Sequence, residues 1–144
     1  MNEYFILAYI VFAFIALAFA EGYMEGRDGW AAKSSGWRLR ILKRDLTAYH
    51  FWSWLIMMPM LLMMPLFIFG FDLKLFGILL SGYFLGATVN DFMWYIVNPK
   101  VTLKDINPRF AKWYNWWNIF GFRIPDFYIF YPLIFLAIWM TLVN

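Results

Sequence analysis

The chain has no cysteine among its 144 residues and only one histidine, His50. The first absence excludes disulfides, thiolate metal sites and cysteine nucleophiles. The second excludes the histidine clusters of membrane hydroxylases, and there is no His-Glu-x-x-His pair and no repeated acidic signature of the phospholipid-synthase kind. Charge is scarce too, at 15% of residues, and it falls in clusters between long apolar runs. No basic stripe suits nucleic acid, so the net charge of +3 must be explained by where the cations sit. No internal repeat suggests an inverted-repeat transporter.

What the chain has instead is apolar bulk: 64% hydrophobic and 24% aromatic residues, with a mean hydropathy of +0.61. Soluble domains hold about 45–50% apolar residues. Long runs broken by charge clusters fit a polytopic helical protein better than the weak alternation of an outer-membrane barrel. The expected fold is all-α: one membrane-embedded domain over residues 1–144, with four transmembrane helices in a bundle. Their expected spans are about 3–22, 49–71, 75–97 and 125–143, with cytoplasmic loops at 23–48 and 98–124.

The first run reads as a transmembrane helix rather than a signal peptide. It has Glu3 rather than Lys or Arg in front, and it exceeds the usual apolar core of about 7–15 residues. Ala13, Ala16 and Ala20 recur on one side of it and suggest a close-packing face toward Gly82 and Gly86 of the third helix. Pro59 and Pro65 predict kinks or a locally re-bonded backbone in the second helix, where the methionines fill irregular gaps rather than mark a metal path. The loop segment 33–44 fits neither a helical nor a long strand period and reads as irregular or short-helical.

After Asn98-Pro99, the Thr102-x-x-Asp105 spacing predicts a capped turn. Asn107-Pro108 then predicts a short interfacial helix before the fourth span. Phe110, Trp113, Tyr114 and Trp117 would lie on one face of it, and Arg109, Lys112 and Asn115 on the other. Of the twelve Lys and Arg, all but Lys74 fall in the two long loops. The positive-inside rule therefore predicts a multi-pass protein of the cell (inner) membrane with both termini non-cytoplasmic.

Asn90 and Asp91 stand where hydrocarbon is expected, and a carboxylate near a helix centre costs roughly 3 kcal/mol unless partnered. The topology brings Glu21, Glu25, His50 and Asp91 to one depth from three helices. Tyr49, Asn98 and Trp94 are candidates to line the same hollow, and Tyr49, Ser53, His50 or Arg27 are candidate partners for Asp91. Carboxylate oxygens with an imidazole suit a divalent metal, so Glu21, Glu25, His50 and Asp91 form a candidate ligand set. The same groups can share protons, which makes Asp91, His50 and Glu21 candidate catalytic residues. Arg38 and Arg40 in the basic loop are suited to anionic lipid headgroups.

Two functions follow as expectations. One is a small membrane protein whose cytoplasm-facing polar pocket binds a cation or a lipid headgroup, or acts on an amphiphile at the inner leaflet. The other is an accessory or scaffold subunit, as a homo-oligomer or within a larger membrane complex. Nucleic acid is not an expected partner.

Overall fold

The computed structural model describes residues 2–41 and 44–144. Lys43, counted above with the basic loop, lies outside the described residues. The chain is mostly helical, with four helices, and three of them are long and apolar enough to cross a membrane: α1 (Glu3–Glu25), α2 (His50–Phe69) and α3 (Leu73–Val97). The fourth, α4 (Phe127–Val143), is shorter. These spans lie within a few residues of those expected.

Local chemistry sets the ends. The Asn2 side chain accepts from the N–H groups of Tyr4 and Phe5 at the start of α1, and Asp72 accepts from Leu75 N at 2.6 Å at the start of α3. Gly26, at φ 62, stops α1. The opening of α2 is wound wider than an α-helix, and the N–H of Met58 reaches back five residues to the carbonyl of Ser53. Pro59 follows directly and has no N–H to donate, and the wider winding before it is a locally re-bonded backbone of the expected kind.

Helix α3 is the axis of the molecule, with α1 parallel to it and α2 and α4 antiparallel. It contributes Leu75, Leu79 and Ala87 to the buried core beside Ile10 and Phe14 of α1, and Ile78 to a second cluster with Trp139 and Val143 of α4. The glycines make the approach possible. A Cβ on Gly82 would lie 2.7 Å from Ile10 Cδ1, one on Gly86 would run into the Phe14 ring, and one on Gly77 would lie 2.6 Å from Leu142 Cβ of α4. The three alanines expected to form the contact face of α1 do not share in it: Ala13, Ala16 and Ala20 are all exposed. The buried face of α1 is Ile10, Phe14, Ala18, Glu21 and Gly22. At Gly82 and Gly86 the large side chains Ile10 and Phe14 fill the notches of α3, whereas further along the small residue is on α1, where a Cβ on Gly22 would lie 3.3 Å from Asn98 Cα.

Two expectations about the loops are corrected. The segment 33–44 is not irregular or short-helical, because each long loop of this mostly helical fold carries an antiparallel hairpin: β1 (Arg38–Ile41) with β2 (Arg44–Thr47), and β3 (Trp116–Ile119) with β4 (Phe122–Pro125). In the first, Arg-Leu-Arg-Ile alternates over only four residues, too short a pattern to register as a strand period. It is extended by Ala48 N donating to Trp37 O at 2.9 Å.

The expected interfacial helix does not form either. Asn107 accepts from the N–H groups of Arg109 and Phe110 and closes a single turn. Phe110, Trp113 and Tyr114 then pack inward against a core of Trp94 and Tyr95, while Trp117 enters β3. Phe120 and Gly121, at φ 49 and 85, make the tight turn that closes the second hairpin. The Thr102–Asp105 capping box is present as expected.

Candidate functional site

At the hairpin end of the bundle the four helices leave a cavity of about 180 Å³. Glu21, Glu25, His50, Asn90 and Asp91 all line it, so the structure gathers the polar residues singled out from sequence. It does so by a different route from the one expected, since the glycine contacts with Ile10 and Phe14 set the register that brings Glu21 to Asn90.

Glu21 is only 6% exposed and is met entirely by donors. The Tyr49 hydroxyl donates to Oε1 at 2.5 Å and the Trp54 indole to the same oxygen at 3.2 Å, while Asn90 Nδ2 donates to Oε2 at 3.0 Å. Asn90 Nδ2 also donates to the Phe14 carbonyl at 3.2 Å, which ties α3 to α1 at two levels. Glu25, one turn further along α1, accepts from the backbone N–H of Ala31 at 2.6 Å through Oε1.

Asp91 turns away from the partners expected for it. The Tyr114 hydroxyl sits 2.6 Å from both of its oxygens, and the Tyr128 hydroxyl donates to Oδ2. Burial, then the Asp91 charge, hold the Tyr114 phenol well above its ordinary pKa, so it serves as a neutral donor. Arg27 instead pairs with Asp105 at 3.8 Å and lies over the Phe110 ring. His50 Nδ1 shares a hydrogen bond of 2.7 Å with Thr47 Oγ1, and its ring stacks on Trp30 at 4.1 Å between centroids.

The other expected residues stand outside the cavity lining. Asn98 caps α3, donating to the Gly26 carbonyl and accepting from Lys100 N at 2.9 Å, so it fastens the end of α1. Arg38 braces the loop by donating to the carbonyls of Ala31 and Ala32. Arg40 is exposed on β1.

The metal set is not realised. Among the described residues, no three His, Asp or Glu side chains come together as a metal could be held. The physical reason is that Glu21 and Asp91 already spend their oxygens on tyrosine, tryptophan and asparagine donors.

Sequence reasoning missed those donors. Tyr114, Tyr128 and Trp54 are drawn from a loop and two helices, 23 and 37 residues from Asp91 and 33 from Glu21. The available signal was the 24% aromatic content, which supplies hydroxyl and indole donors where few Lys or Arg exist. The chain matches no family model, no curated protein and no solved structure.

Proposed function

We propose that this chain is a multi-pass protein of the cell (inner) membrane that binds a cationic ligand or lipid headgroup in the acid-lined cavity. Its termini would be non-cytoplasmic, and the hairpin end would lie at the cytoplasmic leaflet. One observation carries the reading. Glu21, Glu25 and Asp91 line a single cavity, and among the described residues lining it there is no Lys or Arg. The basic residues lie instead in the surrounding loops, as a headgroup-facing surface requires.

Binding is tested on purified full-length protein in nanodiscs by thermal melting against magnesium, manganese and alkylammonium salts. A saturable stabilisation lost in Glu25→Gln supports the reading, and indifference to every cation refutes it. The absence of native cysteine makes orientation simple to test. Single cysteines at Asn144 and Ser35 should label from opposite sides of the membrane, and labelling from the same side refutes the assignment.

A second reading, an accessory subunit, is favoured by α2, which has no buried residue across its apolar window. Co-migration with unlike chains on native purification supports it, and a single-species peak opposes it.

A further inference from the structure

The β3–β4 hairpin ends in an apolar turn, where Phe120 is 96% exposed and Phe122 73%. Its register sorts the side chains. Trp117 pairs with Ile124 and Ile119 with Phe122, so these four share one face of the ribbon, while Trp116, Asn118, Arg123 and Pro125 share the other. On the second face Trp116 joins the core around Tyr114 and Pro125 is buried, which fixes the base of the ribbon. Asn118 and Arg123 are exposed beyond that base. The ribbon is therefore amphipathic, with its apolar face on the side away from the core.

What that face meets follows from its neighbour. The Trp117 ring stands edge-on to Phe130 of α4, with centroids 5.3 Å apart. Phe130 heads a stripe of exposed apolar residues at helical spacing along α4, continued by Leu133, Ala137 and Met140. In a helix that crosses a membrane such a stripe faces acyl chains, so the hairpin face continues a lipid-facing surface.

Length points the same way. Helix α4 has 12 α-helical residues followed by 5 of wider winding. At 1.5 Å per residue that is about 26 Å, short of a hydrocarbon core of roughly 30 Å. An apolar ribbon packed on its first turn extends the apolar band where the helix falls short. The first hairpin repeats the arrangement: Trp37, Leu39 and Ile41 are exposed and alternate onto one face, and Trp37 stands edge-on to Phe51 of α2 at 5.5 Å.

We propose that the β3–β4 hairpin is a membrane-interface anchor. Trp117, Ile119, Phe120 and Phe122 lie among acyl chains just beneath the phospholipid headgroups, and Arg123 on the opposite face meets the phosphates. The hairpin thus takes the interfacial role expected of a helix in this loop. This rests on the reading that the long helices span a membrane, and it is independent of what the cavity binds.

The native chain has no cysteine, so a single nitroxide can be placed at will. Asn118→Cys, Phe122→Cys and Leu61→Cys, the last in the middle of α2, are labelled in the full chain. Each is reconstituted in vesicles of phosphatidylglycerol and phosphatidylcholine. Electron paramagnetic resonance then reads collisions with oxygen, which concentrates in hydrocarbon, and with a polar nickel chelate, which stays in water. Thermal melting confirms that each variant is folded, and Phe120→Cys at the turn replaces Phe122→Cys where that variant is not.

The chelate should reach position 122 about tenfold less often than position 118, because a polar complex is excluded from hydrocarbon. Oxygen should reach 122 more often than 118. Equal chelate access at 118 and 122, with exclusion at 61, overturns the anchor and leaves the spans standing. Chelate access at 61 as well removes both. Exclusion at 118 to the same degree as at 122 overturns the placement of Arg123 at the phosphates. Loss of both oxygen and chelate collisions at 122 puts a protein surface on that face, a second copy or another chain, and overturns lipid as its occupant.

Discussion

Replacing Glu21 by glutamine asks whether its carboxylate holds the hairpin end of the bundle together. The side chain keeps its shape and exchanges one oxygen for an NH2 group. If that group takes the place of Oε2, it meets the Asn90 Nδ2 donor. Asn90 cannot present its oxygen instead without turning it toward the Phe14 carbonyl, to which Nδ2 also donates. If the NH2 takes the place of Oε1, the Tyr49 hydroxyl can rotate to accept, but the Trp54 indole N–H has no other role to play. Either arrangement strands one buried donor, which costs about 1–3 kcal/mol, and the remaining bonds lose their charge assistance.

The expected destabilisation is therefore about 2–3 kcal/mol, read by equilibrium unfolding in mixed micelles through tryptophan fluorescence. Tyr49→Phe removes one bond and leaves Glu21 two donors, for about 1 kcal/mol. The double variant should lose less than the sum, because both changes act on the same oxygen. Glu21→Gln within about 0.5 kcal/mol of wild type, or strict additivity with Tyr49→Phe, would refute the reasoning.

Two further predictions concern packing and pH. In Gly86→Ala the new methyl falls 2.7 Å from Cε2 and Cγ of Phe14, whose ring is confined by Trp54 and Tyr83. Overpacking of about 1–3 kcal/mol outweighs a helix-propensity gain of about 1 kcal/mol, so the same unfolding assay should show a net loss. Ala16→Leu on the exposed side of α1 should stay within about 0.5 kcal/mol, and the reverse ranking would place the contact face of α1 wrongly. The Tyr114 phenol has a folded-state pKa above its ordinary 10.0, so its contribution to stability is complete below that pH and is lost as pH rises beyond it. Unfolding free energy measured from pH 8 to 11 should fall at the alkaline end, and Tyr114→Phe should flatten that fall.

The helices were legible because hydrophobic length and caps act within one segment. Asn98-Pro99 marks a boundary without reference to the rest of the chain, and so do Asn2 and Asp72, whose capping was seen only in the structure. The glycine pair at 82 and 86 correctly announced a close approach, but its partner could not be read. A glycine notch accepts a large residue such as Phe14 as readily as a small one such as Ala16. The hairpins were not legible because four-residue strands carry too little alternation, and aromatic spacing around Trp113 imitated a helical face. What decided that loop was tertiary: Phe110, Trp113 and Tyr114 are drawn onto Trp94 and Tyr95, a contact no local pattern encodes.

The site was half legible for a related reason. Carboxylates in apolar surroundings are conspicuous, so Glu21 and Asp91 could be named from sequence. Their partners are Tyr49, Trp54, Tyr114 and Tyr128, residues that look like ordinary membrane aromatics until the fold turns their polar atoms inward. That choice of partner bears on function. An arginine in the same place would satisfy a carboxylate and cancel its charge, closing the cavity electrostatically. Phenol and indole donors satisfy these oxygens with neutral groups, and they add ring surface around them.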